Sequence, residues 1–259
     1  IQAVRHSLGY DRPIGIQYVE YLGKLGRGDF GISLRYQQSN LTLIEGRLPY
    51  TAELAGAALL LTILFAIPLG VIAAARRDRT ADRGIQGFVA LGQAVPSFVV
   101  GPLLILLFAV HLHWVPVAGV QGAGSIALPA VTLAIYPISQ IARVLRASML
   151  EVWHADYVTT ARAKGLAEST VVSRHMLRNA LVPMITLLGL QIAALLGGAV
   201  IVESIFGWPG LGQFAIQALL GGDYSLAQAI VVVMTAIVVV VNLATDLAYS
   251  VIDPRIKLR

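Results

Sequence analysis

Long apolar runs dominate the chain and predict helices rather than strands. Each of five runs holds the roughly 20 mostly apolar residues that a membrane-spanning helix needs. None of them alternates between apolar and polar positions as a membrane strand would. The runs extend from Leu54 to Ala75, Phe88 to Leu112, Ile126 to Leu145, Leu181 to Val202 and Leu226 to Ile252. The pattern predicts an all-α integral membrane protein, a polytopic helical bundle with five spans in this sequence.

Prolines interrupt the second and third of these runs without arguing against helices. Pro96 and Pro102 lie in the second run, and Pro129 and Pro137 lie in the third. Inside a membrane bundle, neighbouring helices can satisfy the backbone carbonyls that a proline leaves free. We therefore expect bent helices here rather than loops.

The composition agrees with a lipid environment. Of the 259 residues, 57% are hydrophobic and 13% are charged, whereas about 25% of a soluble domain is charged. The chain has no cysteine, which excludes disulfides, zinc–thiolate sites and thiol catalysis. The net charge of +5 indicates basic cytoplasmic loops and not nucleic-acid binding.

The distribution of basic residues predicts the orientation. The segment 76–83 carries four arginines and the segment 143–178 carries six basic residues, whereas 113–125 and 203–225 carry no lysine or arginine. Because positive loops stay inside, the basic segments and the tail 253–259 are expected in the cytoplasm. Residues 1–52 then form an external segment, and residues 53–252 form the transmembrane domain with a cytoplasmic loop at 150–178 and an external loop at 203–225.

The external segment 1–52 raises a question of topology. It is polar, it begins with Ile1 and it contains neither a signal peptide nor a span that could carry it across the membrane. We therefore expect one further span upstream of this sequence. The intact protein would then have six spans and two cytoplasmic ends.

The cytoplasmic loop 150–178 is the most informative segment. It predicts a short helix, a break at Gly165, and a second helix that is amphipathic. One face of the second helix holds four side chains, Val171, Val172, His175 and Met176. From the residues alone, a helix docked in a partner's groove and an ordinary surface loop both remain open.

The first helix of this loop and its glycine resemble the EAA loop of ABC-importer permeases. Ala161 and Gly165 match that pattern, whereas Thr159 and Thr160 replace its first two members. The variant is similar to the loop of the peptide-importer branch, where it contacts the ATPase. The residues that carry this resemblance are Asp156, Tyr157, Thr160, Ala161, Arg162, Ala163, Lys164, Gly165 and Leu166.

The resemblance extends over essentially the whole chain. Gly28-Asp29-Phe30-Gly31 near the start and Asp253-Pro254-Arg255 at the end are similar to the same branch. So is the external loop, whose expected contacts with a binding protein are Glu203, Phe206, Trp208, Pro209, Gly210, Gly212 and Gln213.

This resemblance implies the fold of a type I ABC importer permease and the first of two permease subunits of a dipeptide or oligopeptide importer. The implied partners are a homologous second permease, two ATPase domains or subunits, an external binding protein and the lipid of a prokaryotic plasma (inner) membrane. The subunit would catalyse no reaction and hold no cofactor, since ATP and magnesium would bind to the partner ATPases. The chain contains no Walker A sequence.

Several alternatives remain. Permeases of this branch are also associated with nickel chelates, glutathione or haem. Outside the family, a secondary transporter would show internal repeats and an intramembrane enzyme would need a buried nucleophile and base, and neither is evident. The segment 210–215 fits a dinucleotide-binding glycine pattern, but no strand precedes it. Six polar residues of the spans could line a pathway or bridge helices: Gln93, Tyr136, Gln140, Gln191, Asn242 and Asp246.

Overall fold

Helices make up nearly all regular structure in the computed structural model, which describes residues 13–122 and 124–252. They are α1 (Ile14–Leu25), α2 (Asn40–Glu45), α3 (Leu48–Ala75), α4 (Thr80–Ala94), α5 (Ser97–Leu104), α6 (Ala127–Val152), α7 (Asp156–Ala163), α8 (Glu168–Thr170), α9 (Leu177–Phe206), α10 (Leu211–Leu220) and α11 (Tyr224–Ile252). Wider π-helical turns, Ile105–His111 and Val171–Met176, extend α5 and lead into α9. The all-α prediction is confirmed, and the predicted tail 253–259 lies outside the described residues.

Four helical segments are long and apolar enough to cross a membrane. They are Asn40–Ala75, which joins α2 to α3, then Ala127–Val152, Leu187–Phe206 and Tyr224–Thr245. Their positions correspond to the first, third, fourth and fifth predicted spans. The segments differ from the predicted bounds by up to 14 residues, and the largest difference is at the first span, which begins at Asn40 and not at Leu54.

The second predicted span, from Phe88 to Leu112, is not one straight helix. Instead, α4 and the unit Ser97–His111 meet at an angle of 108°. Val95 is extended, with φ −92° and ψ 118°, because the ring of Pro96 disfavours the helical conformation of the residue before it. The described residues therefore hold four spans, and a fifth if this bent pair crosses as one unit.

Helix α6 lies at the centre of the bundle and packs against α3, α4, α5 and α9. In the most apolar 18-residue stretch of α6, 67% of the residues are buried within the chain, against 22–33% in the corresponding stretches of the other three spans. Its buried face includes Ile141, Leu145 and Met149, which belong to the main hydrophobic cluster. Helix α9 also packs against α3, α5, α10 and α11.

Polar contacts between distant helices define the two ends of the bundle. Arg146 on α6 donates from Nε and a terminal nitrogen to the two carboxylate oxygens of Asp82 on α4, at 2.8 and 2.7 Å. Thr51 near the start of α3 bonds to Glu203 near the end of α9. The first contact gathers the arginine-rich turn and the loop after α6 at one end. The second contact joins the start of α3 to the segment 203–225, which lacks lysine and arginine; the orientation across the membrane stays a prediction.

Candidate functional site

The predicted coupling residues form an exposed projection after α6. Two residues of α7, Val158 and Ala161, are buried and fix the helix to the bundle, and Arg162 is half-buried. The other matched positions are exposed: Asp156, Tyr157, Thr160, Ala163, Lys164, Gly165 and Leu166. The arrangement offers one helix face and the following turn to a partner while the opposite face stays in the core.

Gly165 has a backbone conformation that suits glycine. Its φ is +78°, in the left-handed region, and no neighbouring atom lies within 4 Å of the position that a Cβ would take. The turn is closed by the amide of Leu166, which donates to the carbonyl of Ala161 at 3.4 Å. The bend predicted at this residue is present, and a side chain here would be opposed by backbone strain and not by crowding.

Arg162 holds the two sides of this turn together. Its guanidinium donates two hydrogen bonds to the carboxylate of Glu168, at 2.7 and 3.1 Å, and a third to the carbonyl of Trp153 at 3.2 Å. It also lies 5.2 Å from the centre of the Trp153 ring. The hydrogen bond from Arg162 lowers the pKa of Glu168 below its usual range. The pair is therefore ionised at neutral pH and gives the turn a defined shape.

At the opposite end of the bundle, a buried carboxylate fixes the external loop. Glu203 is 0% exposed. One of its oxygens accepts hydrogen bonds from the amides of Gly212 and Gln213, at 2.7 and 3.0 Å. The other accepts the hydroxyl of Thr51 at 2.7 Å, and the oxygen of that hydroxyl accepts the amide of Leu211 at 2.8 Å. The unpaired amides that begin α10 are thus satisfied by α3 and α9.

The glycines of this loop permit that approach. A Cβ on Gly210 would lie 2.1 Å from a carboxylate oxygen of Glu203, and one on Gly212 would lie 2.4 Å from the Cα of Val200. Both positions therefore need glycine for packing. This explains the glycine spacing at 210–215 without a bound nucleotide.

Trp208 completes the attachment of the loop. Its indole nitrogen donates to the carbonyl of Tyr50 at 2.9 Å, and the two rings meet edge to face at 6.3 Å. Within the set predicted to contact a binding protein, Pro209 and Gln213 are half-buried, and the others are buried: Glu203, Phe206, Trp208, Gly210 and Gly212. Contact with a binding protein stays a prediction, and the buried members shape the loop from within.

The segment before α3 also attaches to this end, and residues 30–48 are termed the external cap. Asp223, which precedes α11, accepts the hydroxyl of Ser33 at 2.5 Å and the amides of Arg35 and Leu226, both at 3.2 Å. Burial raises the pKa of Asp223, but these hydrogen bonds outweigh burial and hold the pKa below its usual range. This carboxylate is therefore an ionised clamp between the cap and the last helix.

Apolar packing supports the same clamp. Ile44 of α2 is buried among residues of α10 and α11, including Leu211, Phe214, Leu226 and Ile230. Sequence reasoning did not identify the pairing of Ser33 with Asp223, the role of Thr51 or the Asp82–Arg146 pair. An isolated acid directly before an apolar run was the available signal for Asp223.

Three of the six polar span residues form a hydrogen-bonded chain. The side-chain amide of Gln191 on α9 donates to the carbonyl oxygen of Gln140 on α6, whose own amide donates to the hydroxyl of Tyr136 at 2.8 Å. The amide nitrogen of Gln93 on α4 is buried and has no partner among the described residues. Asn242 is half-buried on α11, and the side chain of Asp246 lies outside the described part. A pathway role for these six residues stays a prediction.

Comparison with known proteins identifies the family. Residues 66–258 match the family described as the binding-protein-dependent transport system inner membrane component. The chain belongs to this family. The matched region contains the segments 150–178 and 203–225 and most of the described spans of this permease.

Curated relatives of the permease align over almost its full length. A putative peptide permease protein of Brucella ovis is 40% identical over 99% of this chain and 84% of its own length. The di/tripeptide transport system permease protein DppB of Pseudomonas aeruginosa is 38% identical over 97% of this chain and 83% of its own. OppB of Salmonella typhimurium, an oligopeptide transport system permease protein, is 38% identical over 95% of this chain and 81% of its own length.

Solved structures share the fold of the permease. A chain of the MetNI methionine ABC transporter, in an inward-facing conformation, superposes with a TM-score of 0.70 over 82% of this chain and 97% of its own, at 19% identity. An amino acid ABC transporter with histidines gives a TM-score of 0.61 at 18% identity, over 83% of this chain and 95% of its own. The predicted fold of a type I ABC importer permease is confirmed.

Proposed function

We propose that this permease is the first of two permease subunits in an ATP-driven importer of dipeptides and oligopeptides. It forms the translocation pathway with a homologous second permease in a prokaryotic inner membrane. Two ATPase domains, on one chain or two, dock on the cytoplasmic loop, and an external binding protein delivers the peptide. The chain holds no cofactor, since ATP and magnesium bind to the ATPases.

The observation that most directly supports ATPase docking is the exposed face of α7. Tyr157 and Leu166 are large side chains that are 39% and 40% exposed, and the exposed residues around them are small or polar. The ion pair of Arg162 with Glu168 gives that loop a fixed shape. A rigid projection can transmit a push, and a partner that covers these two side chains gains apolar burial.

The peptide assignment rests on the relatives. Proteins named as peptide, di/tripeptide and oligopeptide permeases align over 95–99% of this chain at 38–40% identity. Uptake of labelled trialanine by the reconstituted importer, with glutathione, haem and a nickel chelate as competitors, tests this assignment. Competition by one of these compounds at lower concentration than trialanine would reassign the substrate class.

Docking is tested by substitution at Gly165. Gly165→Val places a β-branched residue at φ +78° and should distort the turn, at a cost of about 1–2 kcal/mol. Gly165→Asn is the matched control, because asparagine tolerates this conformation. We expect the valine variant to assemble at normal levels but to lose peptide-stimulated ATP hydrolysis and uptake, while the asparagine variant keeps both. Normal uptake by the valine variant would refute the coupling role.

A further inference from the structure

One face of α6 carries polar side chains at the surface of the bundle. Tyr136 is 47% exposed, Gln140 is half-buried and Arg143 is exposed. The spacing of four and three residues places them in one row along the helix. This row, Tyr136–Gln140–Arg143, is termed the α6 stripe.

The stripe is unsuited to lipid and to close helix packing. Tyr136, Gln140 and the guanidinium of Arg143, which lies near the cytoplasmic end of the span, would be poorly solvated by hydrocarbon. The row also holds no small residue of the kind through which helices approach closely in membranes. Arg143 also differs from Arg146 one turn further on, since no described residue forms an ion pair with it, whereas Arg146 is paired with Asp82. A water-filled pathway is the surrounding that fits such a row.

The hydrogen-bonded chain behind the stripe has a direction. Gln191, which is 6% exposed, donates to Gln140, and Gln140 donates to the oxygen of Tyr136. Because the phenol oxygen accepts from Gln140, its own proton is free to bond another acceptor. The stripe thus presents a hydroxyl donor at one end and the donors of Arg143 at the other.

We propose that the α6 stripe contacts the transported peptide and binds its acceptor oxygens, with Tyr136 donating to a main-chain carbonyl and Arg143 to the terminal carboxylate. This inference rests on the proposed peptide-import function and names the residues through which this subunit recognises its substrate. The rise along α6 between the two residues is about 10 Å, which equals about three residues of extended peptide. A tripeptide with a free carboxyl terminus therefore matches the stripe.

The first test compares uptake of labelled trialanine and trialaninamide by the complete importer in proteoliposomes, with binding protein at saturation. Tyr136→Phe removes the hydroxyl and should slow both peptides about 3- to 10-fold. Arg143→Gln should lower the ratio of trialanine uptake to trialaninamide uptake about 3- to 10-fold relative to the unmodified permease. Ser139→Ala is the control, since its hydroxyl is buried and bonds only its own helix carbonyl at Ile135; both rates should stay normal.

Unchanged rates in Tyr136→Phe together with an unchanged ratio in Arg143→Gln would overturn the inference while leaving peptide import intact. Failure of the unmodified importer to transport either peptide would instead contradict the proposed function.

The second test does not depend on transport by the variants. The chain contains no cysteine, so Arg143→Cys creates its single thiol. With cysteine-free partner subunits, a charged methanethiosulfonate reagent should label this position, and trialanine should slow labelling about 3-fold or more when ATP hydrolysis is blocked by vanadate. Leu64→Cys, at an exposed apolar position of α3, should stay unlabelled. Absence of labelling at 143 in every state, or labelling that trialanine does not alter, would overturn the inference.

Discussion

The carboxylate of Glu203 is expected to hold the external loop closed. Glu203→Ala removes the acceptor of three hydrogen bonds, from Thr51, Gly212 and Gln213. The hydroxyl of Thr51 keeps its bond from the Leu211 amide, and water can reach Gln213, which is half-buried. The buried amide of Gly212 has no such replacement. The substitution also removes the favourable interaction between the carboxylate and the N-terminus of α10. Together, these losses should destabilise the closed loop by about 2–5 kcal/mol.

Glu203→Gln removes the charge of the side chain but keeps an oxygen that accepts hydrogen bonds. Its amide oxygen can still accept the amides of Gly212 and Gln213, and its nitrogen can donate to Thr51, so the loss should be only about 1–2 kcal/mol. Glu53→Ala is the matched control, because Glu53 is an exposed glutamate on the same end of the bundle. Loop opening should therefore be most frequent in Glu203→Ala and less frequent in Glu203→Gln. It should be least frequent in the unmodified permease and, equally, in the Glu53→Ala control.

The assay uses a single cysteine at Ala218, which is 3% exposed on α10. A thiol reagent added to the purified permease in nanodiscs reacts with this position only when the loop opens. A destabilisation of 2–5 kcal/mol should raise the labelling rate by more than about 10-fold in Glu203→Ala. Equal rates in Glu203→Ala and Glu53→Ala would refute the idea that the buried carboxylate holds the loop.

Two further predictions concern the other polar contacts. Asp82→Arg should destabilise the bundle by about 3–5 kcal/mol, because it leaves two like charges at a largely buried site; the exchange Asp82→Arg with Arg146→Asp should recover much of the lost protein level, and no recovery would contradict the pairing. Because the pKa of Asp223 is lowered in the folded state, its clamp is fully present above about pH 4 and is lost as the pH falls through the folded pKa. Ser33→Ala removes one of the hydrogen bonds that lower the pKa of Asp223. As the pH falls, protease cleavage within the cap should therefore begin at higher pH than in the unmodified permease. An unchanged onset would refute the clamp.

The spans could be predicted because lipid imposes a length and an apolar composition on every crossing helix. The bend at Pro96 was signalled by the proline, but its angle depends on how α4 and α5 pack against α6 and α9. The turn at Gly165 was predicted because glycine acts locally. The direction in which a loop side chain faces does not follow from local sequence, since Glu203 is buried by Thr51, which is 152 residues away.

The same reasoning applies to the α6 stripe. Its polar residues could be recognised in an apolar run, but their order as donors and acceptors depends on Gln191 in another helix. The exposed residues of the cytoplasmic loop were identified through a family resemblance, and the ion pair that shapes that loop was not.

The clamp between Ser33 and Asp223 has a consequence for biogenesis. The two residues are 190 positions apart, and ribosomes add about 5–20 residues per second, so the cap waits about 10–40 s for its partner to be synthesised. During this interval Ser33 and Asn40 have no Asp223 or Ser225 to bond. We therefore expect the nascent cap to be accessible to chaperones and proteases until Asp223 is made, and its docking can begin before the rest of α11 is synthesised.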